Sequence, residues 1–409
     1  MEQARPERDG VREGARGRRR RRLTAVVVLT AVVALVGVGV VLARPWVDED
    51  ALPSFRPAAP PEEVRSISLD FDVVVDDETD WDAVAARLDE VDATTVHLNA
   101  GRIEFTAFDW PAYPQYAAEP GTDHLAVAAR ALHESQDGVA RQINLIIDAY
   151  TPELIKEDPS LAGIDANGVR STHVASATQL MRGEVGERIA DYAAALGERY
   201  DPNAIELTEL NLDRFTFGEE DFDLFREMTQ EADWPRNEDG TIDTGSPLIG
   251  TWRSDVVAGL LSRVRAALDE VREGRGEQIE LSADVRVDWT DPAAGRPDSG
   301  HDYSTLLEVA DRLVVWVYIG PVQRSPDDVE SLTAALAEAG YDMSRLTMSV
   351  GLWKGRADDP TSIEPGELAG AVRRAATNGI TSVNVTPYSM MSAEHWAALA
   401  AVWNPPGTS

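Results

Sequence analysis

Acids and aromatic rings recur at the ends of eight short β-branched runs that follow residue 65: Asp70 and Asp72, Asn99, Asp148, Glu206 and Glu209, Asp284, Trp316 and Tyr318, Trp353, and Asn384. Cleaving a glycosidic bond requires this kind of material. One carboxyl protonates the leaving oxygen, and a second attacks the sugar or activates water. Glu209 and Glu206 are the candidates on the fourth run, with Asp284, Asp148, Asp70 and Asp72 as possible partners. The seventh run ends Leu352-Trp353-Lys354, without a carboxylate, so the fourth run pairs better with the fifth. That makes Glu209 the expected general acid and Asp284 the second carboxylate. Arg286, two residues further on, would hold a neighbouring carboxylate ionised. Asp148 reads as a third acid or a ligand for sugar hydroxyls. The plainer reading of Asp70, Asp72 and Arg286 is a set of ion pairs tying strands together, and Glu206 reads as a supporting residue.

Six of the ten tryptophans, Trp110, Trp234, Trp252, Trp289, Trp316 and Trp353, fall on or after the ends of these runs. Flat rings with a polar edge suit the apolar faces of sugars. The expected substrate-binding set is Asn99, Asp148, Tyr150, Arg286, Trp316, Tyr318, Trp353 and Tyr388. The alternative for any one ring is ordinary packing, most of all for Trp252 at a helix start.

The elements that must position these residues alternate. Strands are expected at Ser66–Val74, Thr94–Asn99, Gln142–Ala149, Ala204–Leu210, Gln278–Val287, Arg312–Ile319, Leu346–Trp353 and Ser382–Thr386. In the first, Ile67, Leu69, Phe71 and Val73 alternate with Ser68, Asp70 and Asp72, a period of two that sends the aspartates toward a barrel axis. Helical stretches intervene, such as Trp81–Val91, His124–Glu134, Gly183–Tyr200 and Trp252–Glu273. Eight strand–helix repeats imply a parallel sheet closed into a (β/α)8 barrel, whose chemistry sits at the C-terminal ends of the strands. The largest insertion, 211–250, follows the fourth strand, and long loops in compact domains are usually functional.

The chain outside the barrel speaks of location. Residues 1–22 close with five arginines, and Leu23–Ala43 then runs without a charge. About 20 such residues suffice to span a bilayer. The arginines keep their end cytoplasmic, so 23–43 reads as a single transmembrane signal anchor and the barrel as extracellular. A cleaved signal peptide is the rival, although its apolar stretch is usually only about 7–15 residues. Residues 44–64 hold five prolines and read as a semi-extended linker, leaving 65–409 as the barrel domain.

The net charge of −33 includes a basic N-terminus, so the barrel domain is more acidic still. This argues against nucleic acid as a partner and fits a solvated acidic surface. The six histidines form no metal-binding helix motif, and no phosphate loop or Gly-x-Ser-x-Gly elbow is present. Metal hydrolase, dinucleotide enzyme and serine esterase lose weight, and neither a metal nor a cofactor is expected. With no cysteine there is no disulfide.

Taken in order, several segments resemble the glycosyl-hydrolase-like, family-10-like group of extracellular barrel proteins. They are the acid-ending strand Asn203–Leu210, the helix start Trp252-Arg253-Ser254, the polar strand Leu281–Asp284, the loop His301-Asp302-Tyr303, and the strand from Asp311 to Tyr318. The likeness spans most of 65–400 through short motifs. The family usually carries paired aspartates at the end of strand four; here Thr208-Glu209 stands there, and only Glu209 keeps a carboxylate. The resemblance implies a cell-envelope glycan as substrate. The leading expectation is a membrane-anchored extracellular glycoside hydrolase acting on a polysaccharide. The alternative is a non-catalytic glycan-binding barrel that needs the aromatic rings but no paired acids.

Overall fold

Alternation decides which way each strand faces. Ile67 and Leu69, Val96 and Leu98, Ile143 and Leu145, and Leu313 and Val315 are fully buried, pointing outward against a ring of helices. In the computed structural model, which describes residues 55–56, 61–273, 276–355 and 361–405, the strands are β1 Val64–Leu69, β2 Thr95–Arg102, β3 Gln142–Asp148, β4 Ala204–Thr208, β5 Glu280–Val285, β6 Arg312–Val317, β7 Leu346–Gly351 and β8 Ser382–Thr386. All pair in parallel with their sequence neighbours, and β1 pairs with both β8 and β2, which closes the barrel. The main helices are α1 Trp81–Glu90, α2 His124–Leu132, α3 Glu184–Tyr200, α4 Pro247–Arg272, the single turn α5 Tyr303–Leu306, α6 Pro326–Glu338, α7 Pro365–Ala375 and α8 Ala393–Trp403. Ser325 and Asp328 form the capping box of α6 around Pro326, and Ser392 caps α8, both as their sequence signatures require.

The expected tail 1–22, span 23–43 and nearly all of the linker 44–64 lie outside the described residues. Among the described residues no helix is long and apolar enough to cross a membrane.

The inward faces depart from the usual barrel interior of Val, Ile and Leu layers. Ser66, Ser68, Thr95, His97, Glu206, Ser282, Asp284, Thr347, Ser349, Ser382 and Asn384 are all buried there. Such groups are tolerated only when hydrogen-bonded. Asn384 Nδ2 donates to Ser68 and Ser349 at 3.0 and 2.9 Å, and the Ser66 hydroxyl donates to its Oδ1 at 3.0 Å. Asn384 thus belongs to the packed interior and does not stand at a strand end.

Other expected boundaries also shift. The first strand stops at Leu69, because Phe71–Val75 turns into a short helix. Asp72 is therefore exposed on that helix and does not face the axis, while the Asp70 carboxylate accepts from the Ser389 N–H at 3.0 Å. Strand four ends at Thr208, and strand seven at Gly351. The long loop after β3 contains an antiparallel hairpin, Ala162–Ile164 with Arg170–Ala175, and the insertion after β4 contains the helix Glu219–Thr229.

Candidate active site at the barrel mouth

Two carboxyl pairs stand one above the other where β3, β4 and β5 end. The lower pair is Glu206 and Asp284. Register places Glu206 beside Ser282 and Leu207 beside Ala283, so Asp284 sits one inward step above Glu206. The two carboxyls lie close enough to shift each other's titration. Glu206 also receives a hydrogen bond from His97 Nδ1 at 2.8 Å, and Asn144 Nδ2 approaches His97 Nε2 at 3.2 Å. Burial lowers the His97 pKa to about 4, so the ring is neutral and its Nδ1–H is the donor. Burial pushes Glu206 up to about 7, and pushes Asp284 far above the usual carboxylate range, the more so because Glu206 lies against it. Asp284 is therefore the member of the pair that stays protonated to higher pH. Asp284 Oδ2 accepts from the Thr208 hydroxyl at 2.5 Å, while its Oδ1 and the Trp316 indole nitrogen are buried without a hydrogen bond. Asp284 is only 8% exposed.

The upper pair is Asp148 and Glu209. Asp148 ends β3 opposite Thr208 and keeps a side-chain exposure of 22%. Its Oδ1 accepts from the Tyr150 N–H at 2.8 Å, and Arg102 Nε lies 3.8 Å from its Oδ2. Burial raises its pKa to about 7; Tyr150 and Arg102 oppose this, and the charge of Glu209 adds to it. Glu209 leaves the strand in the left-handed region, at φ 56°. Few non-glycine residues adopt that conformation, and those that do cluster at functional sites. It breaks the alternation of β4 and leaves Glu209 half-buried at the mouth. Burial raises its pKa too, but the Tyr150 hydroxyl, Arg286 and His173 all favour its charged form. Asn211 Nδ2 lies 3.4 Å from both Glu209 Oε2 and the Tyr150 oxygen.

Arg286 is fixed by its backbone as well as its side chain. Its N–H donates to His301 Nδ1 at 3.0 Å and its carbonyl accepts from the Tyr303 hydroxyl at 2.8 Å. His301 in turn donates from Nε2 to the Leu210 carbonyl at 2.9 Å; burial lowers its pKa to about 4, which preserves that tautomer. The Arg286 guanidinium pairs with Asp213 at 2.7 Å and lies 5.5 Å from the Trp316 ring centre. Although burial pushes Asp213 up, Arg286 and the Ser299 hydroxyl bring its carboxyl below the usual range.

Trp316, Tyr318 and Trp353 form one wall. Trp316 and Tyr318 stack at 5.1 Å with planes 5° apart, and Trp353 lies 5.0 Å from Tyr318. All three are half-buried. Gly351 makes room: a Cβ there would stand 2.3 Å from Tyr318 Cδ1.

Other sequence candidates go elsewhere. Asn99 is occupied locally, its Oδ1 accepting from the Gly101 N–H at 2.8 Å. Tyr388 packs on Trp396 of α8 at 5.7 Å. Trp110, Trp234 and Trp252 are core residues. Trp110 lies against Tyr113 and Tyr192, and Trp234 joins Phe225 and Trp252 in a buried aromatic cluster under the β4 insertion. Only Trp289, Trp316 and Trp353 of the six keep partial exposure. The sequence reading missed Asn211, Asp213 and His173 as members of the mouth, and His301 and Tyr303 as its supports.

The chain resembles several solved structures. The PgaB (BpsB) glycoside hydrolase domain from Bordetella bronchiseptica superposes with a TM-score of 0.62 at 13% identity, covering 83% of this chain and 98% of that one. The catalytic domain of a beta-amylase from Paenibacillus polymyxa gives 0.55 at 11%, covering 84% and 98%. A beta-galactosidase from Rahnella sp. R3 gives 0.54 at 13%, covering 82% of this chain and 51% of that one. At these identities the likeness establishes the fold, a (β/α)8 barrel. No protein-family model matches the chain, and no curated protein matches it.

Proposed function

We propose that this protein is a glycoside hydrolase acting on a polysaccharide. The observation that carries the reading is the mouth itself: two half-buried carboxyls in unlike surroundings, Asp148 and Glu209, together with the ring wall of Trp316, Tyr318 and Trp353. The names of the structurally similar proteins, a glycoside hydrolase domain, a beta-amylase and a beta-galactosidase, agree with it.

Unequal surroundings assign acid and base: burial raises both carboxyls, Asp148 to about 7, while Tyr150, Arg286 and His173 oppose the rise at Glu209. Asp148, with a pKa of about 7, holds a proton near neutrality and suits the donor to the leaving oxygen. Glu209, beside Arg286 and the Tyr150 hydroxyl, suits the carboxylate that attacks the sugar or activates water. This exchanges the role first expected for Glu209. It also places Asp284 beneath the reacting groups: held neutral by burial, it suits the second carboxylate less well than Glu209 does, and through Thr208 it supports the floor of the site. Arg286 would also favour the anionic Glu209. The rings would stack on sugar faces.

The family-10-like resemblance, a cell-envelope glycan as substrate, and anchoring on the outer membrane face through residues 23–43 remain part of this proposal and rest on sequence alone.

The test is product formation by the full chain from a panel of envelope and extracellular polysaccharides, read by mass spectrometry. New oligosaccharides from the parent and none from Asp148→Asn or Glu209→Gln would support it. Polysaccharide retained without products, in a manner dependent on Trp316, would replace it with the glycan-binding reading.

A further inference from the structure

We propose that Asp77, Glu119 and His124 bind a divalent transition-metal ion of the zinc class, at a site separate from the carboxyls of the mouth and independent of the hydrolase reading. Asp77 is distant in sequence from the other two, which lie five residues apart. Asp77 lies in the turn after the short helix Phe71–Val75, Glu119 in the loop after β2, and His124 is the first residue of α2. Their ligand atoms nevertheless come within 4.8 Å of one another.

The acids alone would mean little, because exposed carboxylates gather on a chain this acidic. The histidine is the independent observation. His124 is 5% exposed, and its Nε2 is buried without a hydrogen bond. A buried, unsatisfied ring nitrogen costs free energy unless a partner fills the place. Nε2 faces Glu119 Oε2 at 3.6 Å, too long for a hydrogen bond. That spacing is close to the ~3.3–3.5 Å expected between two ligands of one tetrahedral zinc at bond lengths of about 2.0–2.2 Å.

The backbone under the histidine is held in advance. The neighbouring Asp123 caps α2 through the Ala126 N–H at 2.9 Å and is itself gripped by Arg199 at 2.5 Å and Tyr200 at 2.7 Å. The His124 N–H donates to the Ala107 carbonyl at 3.1 Å. The carboxylates lie on exposed loops and can close the remaining distance. Imidazole with two carboxylates suits zinc and its neighbours, whereas calcium takes oxygen ligands and would leave the histidine unused. The ion would tie the turn after β1 to the loop after β2, which carries the packed rings Trp110, Tyr113 and Tyr116.

The experiment is calorimetric titration of the chelator-treated full chain with Zn2+, with Co2+ absorption as a second readout of an imidazole ligand. The expected result is about one ion per chain at micromolar affinity, a higher melting temperature with zinc, and affinity about tenfold or more weaker in Asp77→Asn and Glu119→Gln. In His124→Ala binding should be lost. If His124→Ala does not fold, the double variant Asp77→Asn/Glu119→Gln, altered only at exposed side chains, carries the test. Zinc binding undiminished in these variants, no binding at millimolar zinc, or Ca2+ binding in preference to Zn2+ would each overturn the proposal.

Discussion

Glu206 and Glu209 lie three residues apart, one on β4 and one just past its end, and live in opposite conditions. Glu206 obeys the alternation of β4 and points into the barrel, where it meets Asp284 and His97 with almost no solvent. Glu209 breaks the alternation with a positive φ and stands at the mouth with Asp148 nearby. The inner pair is almost fully buried, with His97 on Glu206 and Thr208 on Asp284. The outer pair is more open to solvent and has Tyr150, Asn211, Arg102 and Arg286 as its neighbours. The same chemical groups therefore stand buried at one level and, on the proposed reading, reactive at the level above it. Depth and solvent access decide between the two.

The largest expected effects separate these levels. Asp148→Asn and Glu209→Gln should each lower kcat by about 10²–10⁴-fold and leave the melting temperature close to the parent's. If either unfolds the protein instead, the outer pair is structural too.

Next come the aromatic rings, which the same comparison divides. Trp252→Ala should cost about 3–5 kcal/mol in denaturant unfolding because its ring is only 1% exposed in the core. Trp316→Ala should cost much less stability and raise KM about tenfold, equivalent to the ~1.4 kcal/mol of a good ring contact. Equal stability losses would dissolve the distinction between wall and core.

The inner pair predicts a stability effect of intermediate size. Glu206→Ala leaves the buried His97 Nδ1–H without an acceptor, a loss of about 1–3 kcal/mol. Glu206→Gln keeps the acceptor and should be milder. A Glu206→Ala variant as stable as the parent would show that the inner pair bears little of the fold.

The smallest effect is the pH dependence. Glu206 has a folded pKa of about 7, above its ordinary 4.5. Its contribution is therefore complete below about 4.5 and is lost as pH rises through 7. His97 runs the other way. Its folded pKa of about 4 lies below 6.5, so its contribution is present above 6.5 and is lost as pH falls through 4. In the parent these trends oppose each other. The melting temperature of Glu206→Gln relative to the parent should rise between pH 4.5 and 7 and level off above. A flat difference would mean that Glu206 is ionised throughout.

How much of this was legible in sequence follows from what sequence carries. Alternation located all eight strands and named Asp148, Glu209, Arg286, Trp316, Tyr318 and Trp353 near their ends. Period two sorts residues into faces but says nothing of height along the axis, which is what separates Glu206 and Asp284 from Asp148 and Glu209. Height depends on the stagger between β4 and β5, which only the closed sheet fixes. Asp72 was misplaced because Phe71–Val75, rich in β-branched residues, reads as strand and folds as helix. The tryptophans of the β4 insertion could not be told from cleft residues, because their burial depends on Phe217, Phe222 and Phe225 folding back over them. Gly351, without which Tyr318 could not lie against β7, is one glycine among 30. The group of Asp77, Glu119 and His124 left no trace at all, since two different loops bring it together.

The measurement that tests the central claim most directly is the hydrolysis rate of Glu209→Gln and Asp284→Asn, compared side by side on the polysaccharide that the parent degrades fastest. If the outer pair does the chemistry, Glu209→Gln loses at least about a hundredfold in kcat, while Asp284→Asn keeps a substantial part of the parent rate at neutral pH and shows its damage in the melting temperature. If Asp284→Asn is as dead as Glu209→Gln with its fold intact, the buried aspartate is itself a reacting group and the division between the two levels is wrong.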